Sequence, residues 1–253
     1  MSKPAEDTNY QKTIDIAGGA DQWDDITAYN HYTNSTYARR NVGYGRVTYN
    51  SEAIRNDVVT AKVAYDDSNF YFYVETAENL TDPSDPAWMR LFLDTDFENE
   101  GANWEGFEYV LNRVNPTADK CTLERAVAGS GDEEYKGWAW ETVGEVDYTV
   151  SGNILQISIP RSMLGMNRSD PVFHFKWSDN MQVDGDIMDF YQYGEAAPGS
   201  RFTFVFDPLN VKANKGLDIN SLILYIGIGI IAAAVIAVVI VLIVKKKKRK
   251  AAA

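Results

Sequence analysis

Val58 to Glu75 reads VVTAKVAYDDSNFYFYVE, and this stretch decides the fold. Val59, Ala61, Val63 and Tyr65 alternate onto one face, which is the period of a half-buried strand. Asp66-Asp67-Ser68-Asn69 is a tight-turn composition, because short polar side chains bond their own backbone there. Phe70 to Glu75 then alternates again, so the stretch predicts a β-hairpin. Outward from it, Trp88–Asp94 and Phe107–Arg113 read as strands on either side of an acidic loop, residues 95–105. Further strands are predicted at 13–16, 46–49, 121–127, 135–141, 144–150, 153–159, 172–177 and 201–206. Ser151-Gly152-Asn153 is a hairpin turn, and Pro160–Leu164 reads as one helical turn. Phe173/Phe175/Trp177 and Phe202/Phe204/Phe206 alternate with polar residues, so each set is expected to face the core. About eleven short strands, no long amphipathic helix and no cysteine framework predict an all-β antiparallel β-sandwich of jelly-roll type over residues 12–208. Residues 1–11 are read as an N-terminal tail.

A different physics governs the end of the chain. Leu222 to Val244 (LILYIGIGIIAAAVIAVVIVLIV) holds no charge and no proline. A helix of that length reaches roughly 34 Å, enough for a hydrocarbon core of about 30 Å. Residues 245–253 follow with six cations, Lys245 to Lys250. By the positive-inside rule the expectation is a single-pass transmembrane helix anchored in a lipid bilayer. The C-terminus is then cytoplasmic, the N-terminal domain extracellular, and residues 209–221 a juxtamembrane linker. Met1–Asp7 lacks the apolar core of a secretory leader. An outward domain needs one, so the chain is expected either to have lost its leader or to be the last part of a longer surface protein.

The net charge is −12; removing the six cations of the tail leaves −18 for residues 1–244. So acidic a domain disfavours nucleic acid and anionic lipid as partners. Cys121 is the one cysteine, which excludes an internal disulfide and points to a bacterial or archaeal surface. Asn34, Asn79 and Asn167 head glycosylation sequons.

The order of motifs carries a resemblance. VVTAKVAYDDSNFYFYVETAENLT (58–81) is followed by WMRLFLDTD (88–96), WEGFEYVLNR (104–113), YTVSGNILQISIPRSMLG (148–165) and FHFKWSDN (173–180). TIDIAGGADQWDDI opens the series at Thr13 and YGEAAPGSRFTFVF closes it at Phe206. Over residues 12–206 the chain resembles the family 9 carbohydrate-binding modules, within the DOMON-like sandwiches. The resemblance implies a non-catalytic domain of the kind appended to secreted or surface glycoside hydrolases. It implies a sugar end held between two tryptophans, with Glu and Arg side chains on its hydroxyls. Trp88 is similar in place to the first tryptophan. Arg90 stands where the family has Glu, and Val110 where it has Arg. The second tryptophan belongs in Gly194–Ser200, which has none.

Sugars stack on exposed aromatic faces while planar polar groups take the hydroxyls. Trp88 and Trp104 flank loops and are the ligand candidates, with Arg90, Glu108 and Asn112 as polar partners. Arg90 and Glu108 read equally well as an ordinary cross-strand pair. Trp177, Trp138 and Trp140 read as core, and Tyr191 and Tyr193 as weaker loop candidates. In the acidic loop, Asp94, Asp96, Glu98 and Glu105 match positions 1, 3, 5 and 12 of an EF-hand. Asn99 replaces the required glycine, and strands flank the loop, so a calcium ion there needs another geometry. A solvated acidic loop is the competing reading. Asp179, Asp184, Asp186 and Asp189 form a second cluster with the same ambiguity. No nucleophile elbow, zinc spacing among His31, His174 and Cys121, or phosphate-cradling loop is present, so no enzyme is expected.

The expected function is non-catalytic binding of an extracellular glycan at a cell membrane. The alternative is a structural spacer or protein-interaction sandwich that has lost the sugar clamp. A third possibility is the C-terminal part of a larger glycoside hydrolase.

Overall fold

The structure, a computed structural model, describes residues 10–31, 40–41, 47–48, 55–98, 101–128, 137–166, 171–199 and 201–208. The expected span 222–244, its linker and its basic tail lie outside these residues. Among the described residues no helix is long and apolar enough to cross a membrane.

In chain order the strands are β1 (Tyr29–Asn30), β2 (Arg40–Asn41), β3 (Val47–Thr48), β4 (Val58–Tyr65), β5 (Asn69–Thr76), β6 (Arg90–Asp94) and β7 (Tyr109–Leu111). They continue with β8 (Lys120–Ala126), β9 (Trp140–Ser151), β10 (Ile154–Pro160), β11 (Phe173–Asp179), β12 (Glu195–Ala197) and β13 (Phe204–Phe206). All strand pairs are antiparallel. The fold is all-β, as expected, but eleven strands share one continuous hydrogen-bonded sheet rather than two separate ones. The path runs β1-β4-β5-β10-β9-β8-β7-β6-β11-β12, with β13 on the remaining length of β11, and β2-β3 as a separate pair.

That sheet folds over on itself. Phe72 of β5 lies 5.7 Å from Phe173 and 6.0 Å from Phe175, ring centre to ring centre, although β5 and β11 are far apart along the path. The corner is β9. It pairs with β8 from Trp140 to Asp147 and with β10 from Asp147 to Ser151. A register slip leaves Val143 as the extra residue, and such a bulge sharpens the local twist. The sequence predicts two strands here, at 135–141 and 144–150. The structure makes one, because a bulge absorbs the broken alternation.

Period-two alternation sorts side chains into three apolar layers. Phe70, Phe72 and Val74 of β5 face Leu91, Leu93, Phe173, Phe175 and Trp177 across the central core. The other face of β5, Tyr71 and Tyr73, is covered by Ile14, Trp23 and Ile26 from the start of the chain. On the far side, Phe92 and Val110 lie under a roof of Trp104, Phe107, Trp138 and Phe190. The expected first strand at 13–16 does not form. Pairing there is limited to backbone bonds of Tyr10 and Lys12 with Tyr65, after which Gly18 turns back onto Asp15. Phe202 also departs from expectation: it is 74% exposed, because β13 begins only at Phe204.

Candidate functional site

The connection from β6 to β7 is built by its own acids. Asp94 Oδ1 accepts the N–H of Phe97 at 2.8 Å, and Asp96 Oδ1 that of Glu98 at 2.9 Å. These local bonds let Phe97 hold a left-handed φ of 63°. Further on, Asn103 Oδ1 takes the N–H of Gly106 at 3.1 Å, allowing Glu105 and Gly106 to sit at φ 54° and 90°. Glu108 then joins the two ends. Its Oε2 accepts the Thr95 N–H at 2.6 Å and the Thr95 hydroxyl at 3.2 Å.

As a result Asp94, Asp96 and Glu108 converge, with one oxygen from each within 4.8 Å of the others. Burial, reinforced by the charges of Asp96 and Asp94, pushes the Glu108 carboxyl up to about 7 against the pull of the Thr95 bonds. Its Oε1 is buried and has no partner among the described residues. His174 Nδ1 lies 3.0 Å from Asp94 Oδ2, with its ring edge-on to Phe97 at 4.6 Å. An orphaned carboxylate oxygen beside two further carboxylates fits a hard cation such as calcium, which takes six to eight oxygens. The four expected ligands are not brought together as a set. Glu98 stays exposed, outside the converging group, and Glu105 is drawn away by Arg201 at 3.1 Å. Glu108, a residue outside the EF-hand spacing, takes their place.

Beside this cluster an open groove of about 440 Å³ is lined by Thr95, Asp96, Glu108, Tyr109, Arg125 and Glu141. Arg125 and Glu141 pair across β8 and β9 at its edge. Neither residue stands out in the sequence. Only the β8/β9 register brings them beside the acidic loop.

The remaining candidates lie in the interior. Trp88 is 1% exposed: its Nε1 donates to Thr81 O at 3.1 Å and its ring meets Tyr148. Trp104 is likewise 1% exposed, donating to Gly185 O at 3.1 Å and packed on Trp138 at 4.6 Å. Neither indole offers a face to a sugar, which corrects the expectation of an exposed platform. Both indoles are large apolar groups that flank the sheet ends where the roof and core close. Buried Arg90 does not pair with Glu108. It reaches Asp184 at 2.7 Å and lies over the Trp138 ring. Asn112, also buried, ends β7 at φ 61° and donates to Met89 O at 3.0 Å.

The second acidic cluster divides into separate duties. Asp179 accepts from Arg55, Asn56 and the Met89 N–H, Asp184 from Arg90, Asp186 from the Met188 N–H, and Asp189 from the Val183 N–H.

No family model matches the chain, and no curated protein does. Among solved structures it is similar to a carbohydrate binding module family 9 (CBM9) from Caldicellulosiruptor kristjanssonii, described in complex with glucose. That likeness has 12% sequence identity and a TM-score of 0.35, over 68% of this chain and 76% of that one.

Proposed function

We propose that residues 12–208 form a non-catalytic glycan-binding domain, carried on the outer face of a cell membrane by residues 222–244. The observation that carries the reading is the groove beside Glu108. It is open, and it gathers planar polar side chains, Asp96, Arg125 and Glu141, of the kind that bond sugar hydroxyls. The sequence resemblance over residues 12–206 points the same way. The saccharide site in this reading is the groove, not the interior Trp88 and Trp104. A hard cation on Asp94, Asp96 and Glu108 would stiffen the loop that forms one wall. Glu108 is unsuited to acid catalysis, since one oxygen is buried and the other holds Thr95.

The test is a glycan-array screen of the full chain, with and without a calcium chelator, repeated with Arg125→Ala. Binding to a defined sugar that falls at least tenfold in Arg125→Ala is the expected result. Silence across the array from a folded sample refutes it.

A second reading is a spacer or protein-interaction domain. Burial of both candidate tryptophans, with none in residues 194–200, favours it. Silence on the array would turn the assignment to that reading.

A further inference from the structure

β11 sends Phe173, Phe175 and Trp177 into the central core, so Lys176 points the other way, under the roof. There it is 0% exposed. Across the ladder it faces Phe92 of β6, and the Phe190 ring centre lies 4.7 Å from Nζ. Nζ donates to Pro198 O and, at 3.0 Å, to Phe202 O. Both acceptors belong to the connection between β12 and β13. The opposing charge comes from Glu195 of β12, itself buried, with His31 Nε2 3.2 Å from its Oε1. The other charged groups nearby are engaged elsewhere. Arg90 and Asp94 flank Phe92 on the same strand face but hold Asp184 and His174, while Asp189, next to Phe190, takes the Val183 N–H.

An amine inside an apolar chamber carries its charge at a cost that one carboxylate only partly offsets. Burial, opposed by Glu195, brings the Lys176 ammonium down to about 7. Outside, the connection is also held by Arg201 on Glu105, a solvent-screened pair that adds little.

We propose that Lys176 is a proton-operated clasp on the connection between β12 and β13. With the neutral amine inside, the connection lies closed on Pro198 and Phe202. Proton uptake favours the connection lifted away and the ammonium in water. From the ordinary lysine value of 10.5 down to about 7, each pH unit raises the open population about tenfold, and below about 7 the dependence ends.

Amide hydrogen exchange on the full chain tests this, with intrinsic chemical rates divided out. The amides of Gly199 and of residues 201–206 are expected to be less protected than those of β5 at every pH. Their protection should rise about tenfold from pH 7.5 to 8.5, and Lys176→Met should abolish that rise. A flat profile, exchange in step with β5, or a slope that survives Lys176→Met overturns the clasp. If Lys176→Met does not fold, the first two outcomes decide on the wild-type chain alone.

Discussion

Replacing Trp88 by alanine removes a side chain that is 1% exposed and touches Tyr148 on the central core. A buried indole takes about 150–250 Å² out of water, which at about 25 cal/mol per Å² is roughly 4–6 kcal/mol. Alanine keeps the β-carbon and neighbours relax partway, so measured losses for such changes run about 3–5 kcal/mol. The Thr81 carbonyl also loses its donor, adding about 1 kcal/mol. The expectation is about 4 kcal/mol of lost stability. For a domain of this size that is a drop of about 8–16 °C in Tm. Thermal unfolding followed by circular dichroism reads it, with Phe202→Ala as the control. Phe202 is 74% exposed, so its truncation should change stability by no more than about 0.5 kcal/mol. A Trp88→Ala chain that melts within about 2 °C of wild type would refute the reasoning, since only an indole free in solvent could be removed so cheaply.

Glu108 gives a pH-dependent test. Its carboxyl sits at about 7 folded against an ordinary 4.5, so the folded chain holds a proton the unfolded chain has lost between those values. Stability from this group therefore falls as pH rises from 4.5 to 7. Glu108→Gln should raise the unfolding free energy from urea titration at pH 7.5, by a fraction of a kcal/mol after solvent screening, and leave it unchanged near pH 4; equal effects at both pH values would contradict this. Gly194→Ala should cost roughly 2 kcal/mol or more. At φ 62° its new Cβ would lie 2.2 Å from Asp179 O, and a wild-type melting curve would show the turn to be looser than described.

The sequence carried the fold well where alternation was unbroken. β4 and β5 follow from Val58–Glu75 nearly residue for residue, as does the inward set Phe173, Phe175 and Trp177. It misled where a face that alternates outward is covered again. Arg90 and Lys176 share a phase with solvent-facing positions, yet a roof from distant loops buries them. The same roof explains Trp104, which a local reading takes for an exposed loop aromatic. The candidate site was legible only in its acids. Asp94 and Asp96 are visible as a cluster, but Glu108 joins through a bond to Thr95, and Arg125 with Glu141 through strand register. Such long-range pairings leave no local trace.

The roof has a consequence for how this chain can drift. Trp104, Trp138 and Phe190 arrive from three separate connections and meet over Phe92. Trp104 is the ring that joins the other two, contacting Trp138 at 4.6 Å and Phe190 at 5.7 Å. Insertions and deletions in any of the three connections are tolerable so long as its ring still lands, whereas loss of Trp104 takes a neighbour from both of the others. Descendants of this sequence should vary freely in loop length and sparingly in these three aromatics, which are inherited as a set.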